Sequence, residues 1–143
     1  MITRVDIKNF KAIESASVEL TPIHLLIGPN DSGKTSVLEA IAAICRSVDH
    51  DATNSFLGRW QGRELVHSSA EKPEVEIAAE FREEQFDGRY RVNARFPSLG
   101  QEVEWLTAEF VGRGERRGLW GDPRFTAPCV LFEPRFQAYK NSA

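Results

Sequence analysis

Residues 23–35 read Ile-His-Leu-Leu-Ile-Gly-Pro-Asn-Asp-Ser-Gly-Lys-Thr, and this stretch decides the fold. Its second part, Gly28 to Thr35, fits the phosphate-binding pattern G-x-x-x-x-G-K-[ST]. The preceding run, Ile23 to Ile27, is almost continuously apolar, which is typical of a strand covered on both faces in a parallel sheet. Apolar residues at helical spacing then predict an amphipathic helix from about Lys34 to about Val48. The expected order is therefore strand, glycine-containing loop, helix.

The residue types of this loop suit a nucleoside triphosphate. Its glycines permit tight turns that bring backbone N–H groups against phosphate oxygens, and the helix presents its positive N-terminal end to the same anion. Lys34 is expected to reach the β- and γ-phosphates, Thr35 to ligate Mg²⁺ through its hydroxyl, and Ser36 to contact the α-phosphate. ATP and Mg²⁺ are thus the expected cofactors, and the expected cofactor-binding residues are Gly28, Pro29, Asn30, Asp31, Ser32, Gly33, Lys34, Thr35 and Ser36.

The alternative is a glycine turn that only joins a strand to a helix. The loop context disfavours this alternative, because the apolar run before the motif and the helical pattern after it are independent of the motif residues.

Alternating apolar and polar residues predict further strands on both sides of this unit. Two short strands precede it, one around Val5 and Ile7 and one around Val18 and Leu20. Three more alternating runs follow and predict an antiparallel meander with one apolar face; they span 75–81, 90–96 and 103–111. A short helix over 56–66 and a last buried strand at 129–132 complete the expected elements.

Length and composition limit the class of protein. The chain has 143 residues, 41% hydrophobic and 27% charged, which fits one soluble domain, and no apolar stretch is long enough to span a bilayer, so we expect a cytoplasmic protein without a membrane partner. The net charge of −3 argues against nucleic-acid binding by bulk charge. Cys45 and Cys129 are expected to be buried free thiols rather than a disulfide or a metal site.

The first 41 residues resemble the opening of ABC-type ATPase heads, most closely those of the RecF, SMC and OLD (overcoming lysogenisation defect) branches. The resemblance lies in Asn9-Phe10-Lys11, in the loop and in Leu38-Glu39-Ala40-Ile41. It implies the N-terminal lobe of an α/β P-loop NTPase (ABC ATPase-like), with a mixed sheet, a Walker A helix and an antiparallel β-meander subdomain. Asp31 stands where many relatives carry glycine, and we interpret it as a branch marker.

The same resemblance divides the chain and implies partners. Residues 1–70 correspond to the P-loop core, 71–127 to the β-subdomain, and 128–143 to a strand leading toward a Q-loop-like segment. In this family ATP lies between two heads, so the implied partners are ATP, a second ATPase head or the missing C-terminal lobe, with DNA or a partner nuclease as further candidates. The implied setting is DNA repair or anti-phage defence.

Catalytic segments of the family are not found in this sequence. There is no Leu-Ser-Gly-Gly-type signature and no apolar run ending in Asp-Glu. Ser98-Leu99-Gly100-Gln101 echoes the signature but is expected in a hairpin turn, and the run 130–134 has Phe132 where a metal-binding aspartate belongs. No catalytic residue is therefore assigned, and we expect the chain alone not to hydrolyse ATP.

Three further assignments have competing interpretations. The resemblance places Lys11 near the phosphates, and a solvated strand-end lysine is the alternative. Gln137, or else Gln61, is a candidate for the Q-loop residue that senses Mg²⁺, although a surface glutamine is the more ordinary reading of each. The basic residues of the second meander strand suggest DNA contact, but acidic residues of the neighbouring strand are expected to compensate them; the two sets are Arg89, Arg91 and Arg95 and Glu74, Glu76 and Glu80.

Two other functions compete with an ATPase lobe. One is a small-molecule kinase, which the two leading strands and the meander disfavour. The other is a non-enzymatic module in which nucleotide binding sets the shape of a protein-interaction surface.

Overall fold

The computed structural model describes residues 1–47, 52–56, 62–83, 86–97, 103–114 and 129–131. Its elements, in chain order, are strands β1 (Ile2–Phe10) and β2 (Ile13–Glu19), helices α1 (Lys34–Arg46) and α2 (Ala52–Ser55), a 3-10 helix (Gly62–Leu65), and strands β3 (Glu74–Glu83), β4 (Phe86–Arg95), β5 (Glu104–Gly114) and β6 (Cys129–Leu131). The six strands form one sheet in the order β2-β1-β3-β4-β5-β6.

Alternation along the strands places one face of the sheet in the core. Val5 of β1 pairs with Ala79 of β3, and Ile77 of β3 lies between Ile7 of β1 and Val92 of β4. These five side chains are at most 4% exposed. Because side chains alternate between the faces of a strand, the polar residues between them lie on the opposite face of the sheet.

Helix α1 covers this apolar face. Val37, Ala40, Ala43 and Ile44 are buried at spacings of three and four residues, so a single stripe of the helix faces the core. The predicted helix from about Lys34 to about Val48 is confirmed from Lys34 to Arg46, and Val48 lies outside the described residues.

Three phenylalanines close one end of the core. The ring centroid of Phe56 lies 6.2 Å from that of Phe10 and 5.2 Å from that of Phe96. The segment after α2 is thereby attached to the end of β1. The β1 end also pairs with Val66 through an isolated bridge, which brings residues 62–66 beside the N-terminal strands.

The predicted buried strand at Ile23–Ile27 is wrong in this structure. The segment forms no strand, and Ile23, Leu25 and Ile27 are 91%, 77% and 84% exposed. The expected mixed sheet is likewise not seen, since every strand pair within the described residues is antiparallel. A parallel strand requires a neighbour that runs in the same direction, and each described strand runs antiparallel to its neighbours in the sheet.

Two smaller predictions also need correction. Cys45 is exposed rather than buried, and Leu38 is 60% exposed, because the sheet covers only one side of α1. The helix predicted over 56–66 is reduced to the 3-10 turn Gly62–Leu65 within the described part of that range.

The strands predicted from alternation are confirmed. β1, β2 and the three strands of the meander occur where the pattern placed them, and β6 coincides with the last predicted strand. The segment 98–101, Gln61 and Gln137 lie outside the described residues. None of the described helices is long and apolar enough to cross a membrane.

Candidate functional site

The phosphate-binding motif forms a turn that ends at the start of α1. Gly33 caps the helix with φ at +87°, a left-handed conformation that is open to glycine without steric cost. Asp31 also lies in the left-handed region, with φ at +65°. No side chain caps the N-terminus of α1, so its first N–H groups and its positive dipole end remain available to an anion.

The ammonium group of Lys34 lies inside this turn. It donates hydrogen bonds to the carbonyl oxygen of Gly28 at 2.7 Å, to that of Pro29, and to Ser32 Oγ at 3.1 Å. A Cβ atom at Gly28 would lie 2.9 Å from Ser32 Oγ, closer than real Cβ contacts. The turn is therefore drawn tightly around the lysine, with a positive charge at the centre of the motif.

A cavity of about 700 Å³ opens at the helix start, and we call it the loop cavity. It is lined by six of the predicted nucleotide-binding residues, namely Asn30, Asp31, Gly33, Lys34, Thr35 and Ser36. Small-molecule sites commonly measure about 300–1,000 Å³, so the loop cavity is large enough for a nucleotide. Gly28, Pro29 and Ser32 hold the ammonium group of Lys34 beside it.

Lys11 lies in a second wall of the loop cavity, at the turn between β1 and β2. Its backbone has φ at +51°, and its N–H donates to the carbonyl oxygen of Leu65 at 2.9 Å. Its side chain is only 11% exposed and forms an ion pair with Glu39. The structure thus places Lys11 beside the phosphate-binding loop rather than at a solvated strand end, while its contact with phosphate stays a prediction.

Residues of the segment 62–68 form the third wall of the loop cavity. Glu64, Val66 and Ser68 line it, and the N–H of His67 donates to the carbonyl oxygen of Asn9 at 2.9 Å. Sequence reasoning missed this wall and Glu39. For Glu39 a signal existed, because it follows Thr35 by four residues and therefore lies on the same side of the helix.

Of the two predicted metal-binding residues, only Thr35 lies within the described part of the chain. It lines the loop cavity beside Lys34, and its role as a ligand of Mg²⁺ stays a prediction. Gln137, the second predicted metal-binding residue, lies outside the described residues.

The arginines of β4 are paired with carboxylates. Arg89 bonds Glu80 and Asp6, each at 2.9 Å; Arg91 bonds Glu109 at 2.6 Å and Arg95 bonds Glu74 at 3.0 Å. The expectation that neighbouring acidic residues compensate these arginines is confirmed, although Arg91 uses β5 rather than β3. This face of the sheet is therefore a poor candidate for DNA contact.

One carboxylate of this face has a shifted pKa. Burial alone would raise the pKa of Asp6, but hydrogen bonds from Ser17 and Arg4 and the charges of Arg4 and Arg89 lower it below its usual value. The ionised form of Asp6 is thus stabilised by the folded sheet.

Comparisons with known proteins agree with the geometry of the loop. The family model of the AAA ATPase domain matches residues 1–116. The DNA replication and repair protein RecF of Yersinia enterocolitica is 42% identical over 71 residues, which cover 49% of this chain and 18% of that protein. RecF of Erwinia tasmaniensis is 58% identical over 41 residues, or 28% of this chain and 11% of that protein.

Among solved structures, one described as "Structural biochemistry of ATP-driven dimerization and DNA stimulated activation of SMC ATPases" aligns with a TM-score of 0.46 and 16% identity, covering 79% of this chain and 69% of that one. The aligned part of this chain corresponds to less than a fifth of the length of the RecF proteins. The family match, in contrast, includes the loop, the helix and most of the described sheet. This chain belongs to the AAA ATPase domain family and has a P-loop NTPase fold, and about half of its length is similar to RecF proteins.

Proposed function

We propose that this chain is the ATP-binding N-terminal lobe of a RecF-like ATPase and that it binds ATP with Mg²⁺ in the loop cavity. The main support for this proposal is that Gly33, Lys34 and Thr35 lie at the start of α1, which no side chain caps and which opens on this cavity. The cavity presents the donors that a triphosphate requires, namely helix N–H groups, an ammonium group and a hydroxyl group.

Each residue of the loop has a defined task in this proposal. Lys34 exchanges its bonds to the loop carbonyl oxygens for bonds to phosphate oxygens, so that its charge faces the anion. Thr35 supplies a hydroxyl ligand, and the bound Mg²⁺ neutralises phosphate charge. Gly33 keeps the turn open, since its left-handed backbone would be strained with a side chain.

Hydrolysis is proposed to need segments that this chain does not supply. Ile23, Leu25 and Ile27, directly before the loop, are exposed, and so is Leu38 on the outer side of α1. An apolar segment and an apolar helix side that both lie exposed suit a further layer of structure, such as a C-terminal lobe or a second head. That layer would bring the acidic groups that activate water.

The biological role is proposed from the relatives. RecF proteins are described as DNA replication and repair proteins, and a role in DNA repair is therefore the first choice for this chain. Anti-phage defence, by an OLD-like protein with a partner nuclease, is the second. The sequence Arg113-Gly114-Glu115-Arg116-Arg117-Gly118 contains three arginines, and this basic segment is the proposed site of DNA contact.

The direct test is a titration of the chain with Mg·ATP, by calorimetry or with a fluorescent ATP analogue, together with Lys34→Ala. Loss of the charged contact is expected to weaken binding by at least about tenfold. The matched control is Lys8→Ala, which removes an exposed lysine of β1 that does not line the loop cavity, and it should bind like the wild type. Equal ATP affinity of the wild type and Lys34→Ala would end the proposal.

A phosphate-release assay tests the need for further segments. The chain alone is expected to bind Mg·ATP without releasing phosphate. Release at a steady rate from the purified chain would show that the missing layer is not required.

A second candidate is a non-enzymatic module whose nucleotide controls an interaction surface. The exposed apolar surface before the loop favours it, because nucleotide binding at the loop would act directly on that segment. The two candidates differ when a C-terminal lobe with an Asp-Glu strand is added: phosphate release supports the ATPase, and nucleotide-dependent association without release supports the module.

A further inference from the structure

Glu39 brings a carboxylate into the loop cavity, where a triphosphate would meet it unfavourably. It lies on α1 one turn beyond Thr35, and its side chain is 37% exposed. An unpaired carboxylate here would only repel phosphate. Glu39 instead forms an ion pair with Lys11 of the opposite wall, so a bond crosses the cavity edge from helix to strand turn.

The backbone of Lys11 is held firmly, but its side chain is long. The left-handed backbone of Lys11 and its hydrogen bond to Leu65 fix where the side chain begins. Four further bonds can rotate, so the ammonium group needs a second anchor to stay in one place. The Phe10 ring, whose centroid lies 5.7 Å from Lys11 Nζ, attracts the ammonium group only weakly. The ion pair with Glu39 is the stronger anchor.

We propose that Glu39 is a positioning residue that holds the ammonium group of Lys11 toward the phosphates in the loop cavity. The inference rests on the proposed function and adds a residue to it. An ammonium group carries three N–H donors, and a bond from one of them to Glu39 directs the other two. The ATP affinity gained by orienting Lys11 is greater than the affinity lost through repulsion between Glu39 and the nucleotide.

Positioning and simple repulsion predict opposite signs, which makes the inference testable. If Glu39 only repels phosphate, Glu39→Ala tightens Mg·ATP binding. If it positions Lys11, Glu39→Ala weakens binding by about fivefold to tenfold, the order expected when one ordinary hydrogen bond is lost. Glu39→Gln removes the same charge but keeps an oxygen that accepts from Lys11, so it should bind ATP more tightly than Glu39→Ala.

A double-mutant cycle with Lys11→Met supplies the specific readout. In the Lys11→Met background, Glu39→Ala is expected to cause no further loss of affinity, because there is no ammonium group left to orient. Glu64→Ala is the matched control: Glu64 is another exposed carboxylate of the loop cavity, and its removal should tighten binding slightly. Thermal unfolding of each variant verifies that the fold is intact.

Several results would overturn the inference while the proposed function stands. They are tighter or unchanged binding by Glu39→Ala, Glu39→Gln no better than Glu39→Ala, or an undiminished effect of Glu39→Ala in the Lys11→Met background. If the wild type fails to bind Mg·ATP, or Lys34→Ala binds it equally well, the proposed function fails first.

Discussion

Asp31 carries two costs within the phosphate-binding loop. Its φ of +65° lies in the left-handed region, where L-residues are disfavoured, although Asp and Asn tolerate it better than most. Its side chain also lines the loop cavity and adds negative charge where phosphate is expected. A glycine at this position would avoid both costs, so Asp31 is expected to moderate ATP affinity.

Asp31→Asn separates the charge from the backbone conformation. Asn keeps the tolerance of the left-handed region, so only the charge changes, and Mg·ATP affinity should rise by roughly threefold at low salt. The gain should shrink at about 0.5 M salt, because exposed charges are screened. Titrations at two salt concentrations measure it. An affinity equal to or below that of the wild type would show that Asp31 makes a favourable contact with the bound nucleotide or Mg²⁺.

For single residues, the sequence predicts positions that depend on one short segment of the chain. Gly33, Lys34 and Thr35 act through the turn and helix to which they belong, and the motif alone placed them at the helix start. Glu39 was missed because its partner is Lys11, distant in sequence, and because a glutamate on a helix usually faces solvent. The spacing from Thr35 indicates on which side of α1 Glu39 lies, but nothing local indicates its contact with Lys11.

Helix α1 is tied to the sheet by a polar contact at its far end. Ser47 is fully buried, and its carbonyl oxygen accepts a hydrogen bond from the Tyr90 hydroxyl at 3.3 Å. Tyr90→Phe removes only the hydroxyl oxygen and should lower the free energy of unfolding by about 1 kcal/mol. Urea denaturation measures the change. ATP affinity serves as the control, since Tyr90 is far from the loop in sequence and does not line its cavity; an unchanged urea midpoint would contradict the role.

The outer face of the sheet gives a prediction for acid stability. The folded state lowers the pKa of Asp6 from 3.8, so its contribution is complete above that value and is lost as the pH falls through the lower, folded pKa. Asp6→Asn should reduce the free energy of unfolding by about 0.5 kcal/mol near pH 7. The value is small because solvent screens the ion pairs of Asp6 with Arg4 and Arg89. Denaturation curves from pH 7 to pH 2 should converge for the two proteins. A constant difference at all pH values would assign the effect to packing instead.

Strands were predicted well where one face is buried and one is solvated. Because Val5 and Ile7 alternate with polar residues, the sequence alone predicts which face of β1 lies against the core. The run Ile23–Ile27 lacks such a pattern. Its apolar residues indicate that both faces are to be covered, but they do not indicate by what, and none of the strand pairs in the described sheet includes this run.

At the scale of the molecule, the described residues leave several apolar side chains exposed around the phosphate-binding loop. One stripe of α1 packs on the sheet, while Leu38 and Cys45 on its other side are exposed, as are the apolar residues of 23–27. Burial raises the pKa of the Cys45 thiol although the residue as a whole is exposed. A surface of this composition beside the loop cavity favours association with further polypeptide, such as a second copy of the chain.

The isolated chain should therefore self-associate through the segment before the loop. Replacing Ile23, Leu25 and Ile27 together by Thr, Gln and Thr should shift the chain toward the monomer at micromolar concentration, measured by light scattering after size exclusion. Because these side chains are exposed, the free energy of unfolding should change by less than about 0.5 kcal/mol for each replacement. Ile7→Thr, at a residue 1% exposed, is the contrasting variant and should destabilise the fold markedly. If the triple variant associates as strongly as the wild type, another surface mediates association; if it unfolds like Ile7→Thr, the segment 23–27 is already buried within the chain.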